Sequence, residues 1–132
     1  MLKFLIQCLG HHQSIWVDNA YGVDISLLQC TTAYPTKPEQ WALSEIPRLI
    51  QRFSLPIGYS DHSGKIESSI AARALGASIL EFHVVFDRRM FGPDAIASLE
   101  IDEVAKLVSS IRNLEIAFSV PSDKEDVSSF SE

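Results

Sequence analysis

Apolar positions along the chain form three short continuous runs, separated by stretches where they recur every three or four residues. Residues 25–30 (ISLLQC) make the first run, closed by Thr31 and Thr32. A run that is apolar on both faces suits a strand of a parallel sheet, with helices on one side and a core on the other. Residues 34–38 (YPTKP) read as a loop, because two prolines remove donors and fix φ. Residues 39–53 then place Leu43, Ile46, Leu49, Ile50 and Phe53 at helical spacing. Pro47 belongs in a first turn, so the regular helix is expected to begin near 44–47.

The second strand is expected over 55–60 (LPIGYS), ended by the loop Asp61-His62-Ser63-Gly64. Residues 66–75 are rich in Ala and Ile and predict a helix with a buried face. Gly76 supplies its left-handed cap. Residues 77–85 (ASILEFHVV) are the third run, interrupted only by Glu81 and His83. A polar loop at 87–98 contains Gly92-Pro93. A last helix is expected over 102–118, with Val104, Leu107, Val108, Ile111, Leu114 and Phe118 on one stripe.

The ends are less regular. Residues 2–9 are apolar enough for a short helix or the end of one. Residues 10–24 show no period and contain His11, His12, Trp16 and a loop-like cluster at 19–22. Neither His11 nor His12 has a partner at ligand spacing, so both are assigned to the surface. Beyond Pro121 the acidic, Ser-rich tail reads as a linker or disordered chain.

The alternation β-α-β-α-β-α predicts an α/β fold with parallel strands and right-handed crossovers. Polar residues gather where the strands end: Thr32 and Tyr34, then Ser60, Asp61 and His62, then Glu81 and His83. That end of an α/β sheet is where ligands bind.

Composition narrows the function. At 132 residues and 14.7 kDa the chain suffices for one ordinary domain. It is too short for an eight-stranded α/β barrel, which needs about 250 residues. A net charge of −6 argues against nucleic-acid binding through the phosphate backbone. No apolar run reaches the ~18 residues of a membrane helix, and no cleavage pattern follows the apolar start. Cys8 and Cys30 form neither a disulfide framework nor a CxxC knuckle. A reduced, cytoplasmic protein is the expectation.

His62 and His83 lie 21 residues apart at the ends of adjacent predicted strands. One βα unit separates them, so their imidazoles could converge on a divalent metal, with water or substrate oxygen completing the shell. The plainer alternative is two unrelated histidines with local hydrogen bonds. Glu81 shares a strand face with His83 and must be paired, ligated or at a polar barrel end. An ion pair with Arg or Lys is its structural alternative. Ser60 and Thr32 offer hydroxyls to phosphate or carboxylate oxygen, or cap helices. Asp94 lies in a Gly-Pro turn and reads equally as an ordinary turn aspartate. Arg88 and Arg89 either hold an anion or form a solvated pair.

LLQCTTAYPT (27–36), IGYSDHSG (57–64), ALGASILEFH (74–83), GPD (92–94) and SLE (98–100) occur in order. In this combination the chain resembles the N-acetylneuraminate (sialic acid) synthase family, which includes synthases of related nonulosonic acids and a spore-coat polysaccharide protein. The resemblance covers roughly 25–118, leaving 1–24 as a poorly matching segment and 119–132 as a tail. It implies a TIM barrel, of which this chain holds the last three βα units as a partial barrel, (βα)3.

The resemblance also implies condensation of phosphoenolpyruvate with an N-acylated hexosamine-type sugar, with release of phosphate. The divalent metal would be Mn²⁺, with Mg²⁺ or another ion as an alternative, held by His62 and His83. Ser60 would contact the phosphate of phosphoenolpyruvate. Thr32 would stand where some members carry an Asn with the same role. Tyr34, Asp94 and Glu81 would face the sugar and the condensing centre. Three positions depart from the family pattern: Phe82 replaces a basic residue, Phe91 a proline and Ala95 a histidine.

The family's earlier strands, with the lysines that neutralise phosphoenolpyruvate, have no counterpart in this sequence. Nor does its C-terminal domain. The chain is therefore expected to be catalytically incomplete alone, with open edges at its first and third strands and an uncovered inner face. It would pair with a completing N-terminal barrel chain or with itself. A non-catalytic pseudoenzyme or a decayed barrel fragment is the competing expectation.

Overall fold

A computed structural model describes residues 3–8 and 24–121. Four parallel strands form the main sheet: β1 (Lys3–Cys8), β2 (Asp24–Cys30), β3 (Ile57–Asp61) and β4 (Ile79–Phe82), in that spatial order. Helices α1 (Glu45–Arg52) and α2 (Ile66–Ala74) make the crossovers from β2 to β3 and from β3 to β4. A second, two-stranded parallel ladder joins β5 (Val84–Val85) to β6 (Leu99–Glu100), and helix α3 (Ile101–Ser119) follows directly. The fold is α/β with parallel sheets, as the alternation predicts.

Strand parity sorts the side chains onto two faces. Register pairs Leu27 with Ile57, Gln29 with Tyr59, and Tyr59 in turn with Leu80. From this face Leu27, Ile57 and Tyr59 pack with Ile46 of α1 and with Ala72 and Ala77 as the buried core. The opposite face carries two cross-strand rows, Leu28–Gly58–Ile79 and Cys30–Ser60–Glu81. Gly58 is required in the first row. A Cβ there would lie 2.7 Å from the Ile79 carbonyl oxygen and 3.0 Å from Leu28 Cγ.

Local signals set the helix limits. Pro47 occupies the first turn of α1, where its missing N–H costs no helical bond. Gly76 ends α2 at φ +102, and the Ala77 N–H returns to the Ala72 carbonyl at 3.0 Å. At the start of α3, Glu103 accepts the Glu100 N–H at 2.9 Å in a capping box. Leu107 of α3 is buried, and α3 lies against α2.

Four expectations need correction. The helix expected at 2–9 is strand β1, paired in parallel with β2 from Lys3↔Asp24 to Cys8↔Gln29. A short apolar run does not separate helix from strand, and here the pairing decides. One sequence signal was available: the run ends in Ile-Gln-Cys, as β2 ends in Leu-Gln-Cys. The main sheet therefore has four strands, not the three of (βα)3, and its outer members among the described residues are β1 and β4. The third apolar run breaks at His83 into β4 and β5, because its second half pairs with β6 instead of β3. The inner face is not bare either, since Leu28, Cys30, Gly58 and Ser60 are buried, while Glu81 stays exposed. The expectations for His11, His12, Trp16, the 19–22 cluster and the tail beyond 121 lie outside the described residues.

Candidate functional site

Asp61, the last residue of β3, turns its carboxylate toward the helix layer. There it accepts the Ser63 N–H at 2.8 Å, the Ser69 hydroxyl at 3.0 Å and the Ser68 hydroxyl. This buried anchor pins the turn into α2. Parity then sends the next side chain, His62, to the opposite face.

There the His62 ring is buried, and its Nδ1 lies 3.1 Å from the Thr31 carbonyl oxygen. A carbonyl only accepts, so Nδ1 carries the proton and donates it. Nε2 is left with its lone pair, to which the Tyr34 hydroxyl donates at 3.2 Å. Cys30 Sγ stands 3.8 Å from Nδ1. The His62 backbone carbonyl accepts the Thr36 N–H at 2.9 Å, which ties the loop carrying Tyr34 to the end of β3.

His83 follows β4. Its ring centre lies 5.3 Å from that of His62 and 6.0 Å from that of Tyr34, while the Tyr34 and His62 centres are 4.3 Å apart. Two imidazoles sharing one ion at about 2.1 Å per bond have ring centres roughly 5 Å apart. The spacing of His62 and His83 fits that requirement. No group of three or more His, Cys, Asp or Glu among the described residues could hold an ion.

Below the histidines on the same face, Ser60 is buried beside Cys30 and Glu81. Glu81 is exposed and makes no ion pair among the described residues, so the structural alternative of an Arg or Lys partner is not what the fold builds. Thr32 is exposed just beyond β2. Asp94 is half-buried and, with His83, lines an open cavity of about 320 Å³ whose other walls include Val85, Phe86, Met90 and Phe91. Burial raises the Tyr34 phenol above its ordinary value, and the nearby Cys30, Asp94 and Glu81 raise it further. The structure thus gathers His62, His83 and Tyr34 in direct contact, with Ser60, Glu81 and Asp94 around them. Thr32 stands apart.

Sequence reasoning missed or misassigned four contributors to this end of the sheet. Cys30 and the Thr31 carbonyl both face His62, and the parity of β2 could have placed Cys30 beside Ser60. Asp61 was noted only as a polar strand end. Arg88 is neither an anion holder nor half of a solvated pair. It donates to the Ser98 and Gly64 carbonyls at 2.9 and 2.8 Å and pairs with Glu103. Arg89 does lie in solvent, paired with Asp87, whose carboxyl it holds down at about 2.

The sequence profile of the NeuB family matches residues 8–122. The chain belongs to the NeuB family. This NeuB-family chain is 47% identical over 95 residues to the human N-acetylneuraminate-9-phosphate synthase, an alignment covering 71% of the chain and 26% of the enzyme. It is 44% identical over 94 residues to the N,N'-diacetyllegionaminic acid synthase of Campylobacter jejuni, covering 71% and 28%. In three dimensions it resembles the N-acetylneuraminic acid synthetase of Leptospira borgpetersenii, with a TM-score of 0.72 and 36% identity over 81% of this chain and 38% of that one. The NeuB-family chain thus spans about a quarter of the length of the curated relatives it matches.

Proposed function

We propose that the chain forms one wall of a phosphoenolpyruvate-dependent nonulosonic acid synthase. In this reading β2 to α3 correspond to the last three βα units of a TIM barrel, and β1 lies where the preceding strand would pair. The observation that carries the proposal is the meeting of His62, His83 and Tyr34 at the C-terminal ends of parallel strands, above the Ser60–Glu81 row. The names of the relatives, synthases of N-acetylneuraminate 9-phosphate and of diacetyllegionaminic acid, support the substrate class. The acceptor is an N-acyl sugar and the donor phosphoenolpyruvate.

His62 and His83 would hold a divalent ion, with Mn²⁺ as first choice. When bound, such an ion supplies Lewis-acid polarisation of the sugar aldehyde. Thr31 keeps the His62 proton on Nδ1, which leaves Nε2 available as the ligand atom. Tyr34, now bonded to that lone pair, would turn its hydroxyl to the sugar. Ser60 would donate to the phosphate of phosphoenolpyruvate, with Thr32 at its margin. Glu81 and Asp94, neither of them in an ion pair among the described residues, would orient the sugar hydroxyls and the condensing centre.

Positive charge for a trianionic donor is absent from these residues. Catalysis would therefore need positive charge from residues outside this group. The same reading places the protein in the cytoplasm, and no helix among the described residues is long and apolar enough to cross a membrane.

Titration of the full chain with Mn²⁺ tests the site. His62→Ala and His83→Ala should each weaken binding by at least tenfold, on the order of losing one ligand. Unchanged affinity in both variants would overturn the metal assignment and favour a non-catalytic product.

A further inference from the structure

We propose that Arg88 is a positioning residue that sets the separation of His62 and His83. The proposal rests on the reading of those histidines as an ion-binding pair, and extends it to what holds them in place. The guanidinium bridges three segments. Its Nη2 donates to the Gly64 carbonyl at 2.8 Å, two residues after His62. Its Nε donates to the Ser98 carbonyl at 2.9 Å. The same Nη2 pairs with the Glu103 carboxylate at the start of α3.

Ser98 leads straight into β6, where the Leu99 N–H donates to the His83 carbonyl at 2.9 Å. One fork therefore stitches the turn after His62 to the strand that carries the His83 backbone. Gly64 and Ser98 are both buried, so their carbonyls depend on protein donors. The seam is also tight, because Gly64 has φ +65 and a Cβ on it would lie 2.7 Å from the Ile96 carbonyl oxygen. Only a planar group with several fixed donors reaches two carbonyls and a carboxylate together. A lysine ammonium is a point charge that keeps the carboxylate and loses the fork.

The test compares Mn²⁺ affinity of the full chain as wild type, Arg88→Met, Arg88→Lys and Leu107→Ala, at a temperature where circular dichroism shows each folded. Arg88→Met should weaken binding about tenfold, as removal of groups that orient metal ligands does. Arg88→Lys should recover part of that loss. Leu107→Ala removes a buried side chain of α3 but no group of the fork, and should bind as wild type does. Wild-type affinity in Arg88→Met, or an equal loss in Leu107→Ala, overturns the proposal.

A metal-free readout separates this from failure of the metal assignment. The nuclear Overhauser contact between the His62 and His83 rings should be present in the wild type and lost in Arg88→Met. If the wild type binds no Mn²⁺, this contact alone decides, and its persistence in Arg88→Met overturns the proposal. Should Arg88→Met fail to fold, Arg88→Lys decides by the same two readouts, with wild-type affinity and an unchanged contact as the overturning result.

Discussion

Asp61 and His62 are neighbours in sequence with opposite tasks, and the difference is one of strand parity. Asp61 faces the helices and satisfies an N–H and two hydroxyls of the turn into α2, while His62 faces the site. Asp61→Ala would take this acceptor from the Ser63 N–H and the Ser69 hydroxyl, while Ser68 keeps the Lys65 carbonyl at 2.9 Å. It should lower stability by about 2–3 kcal/mol, read as the shift in urea unfolding. Gly58→Ala drives a methyl into the Ile79 backbone and should cost about 2 kcal/mol in the same assay. A loss under half of that would mean that β3 and β4 can separate to admit the methyl.

Glu103 links residue chemistry to pH. Burial pushes its carboxyl up, but the Glu100 N–H and the Arg88 guanidinium outweigh this and leave it below the ordinary 4.5. A depressed value stabilises the fold above the unfolded-state value, and the contribution disappears as pH falls through the folded-state value. Stability of the wild type should therefore fall as pH drops below about 4.5. Glu103→Gln should make that decline shallower, measured by urea unfolding at a series of pH values. An equally steep decline in the variant would show that other carboxylates account for it.

At the scale of elements, packing gives each helix its place once the local signals have set its limits. Pro47 and Gly76 mark where α1 begins and α2 ends, and Ile46, Ala72 and Ala77 lock that layer onto the sheet. Leu107 is the buried residue of α3. Leu107→Ala should cost about 3 kcal/mol in unfolding free energy. The loop at 87–98 behaves as an element of its own. It is held by Arg88 at one end and by the short turn at Ala95–Ala97 at the other, and it carries Asp94 to the cavity beside His83.

For the whole molecule, the main sheet ends in β1 and β4 among the described residues, and Phe86 and Phe91 stand 82% and 107% exposed near the site. Unpaired strand edges and exposed aromatics favour association. The chain should therefore self-associate or pair with another polypeptide, as judged by analytical ultracentrifugation. A monomer that melts in one sharp transition would count against that expectation.

Much of this protein was legible along the chain. Hydrophobic period marked β2, β3, the start of the third run and all three helices. Motif order pointed to the NeuB family, and that resemblance, not the spacing alone, singled out His62 and His83 as a pair. These are local properties, written in residue type and short-range periodicity. Tertiary structure alone decided the rest. Pairing with β2 made a strand of residues 3–8, and pairing with β6 split the run at His83. Packing turned Arg88 from a surface cation into a three-way clasp and brought Thr31, Tyr34 and His62 into one hydrogen-bonded chain. The physical reason is common to all four: a register or a hydrogen bond between distant segments depends on which backbone groups the fold brings within about 3 Å, and no local pattern encodes that.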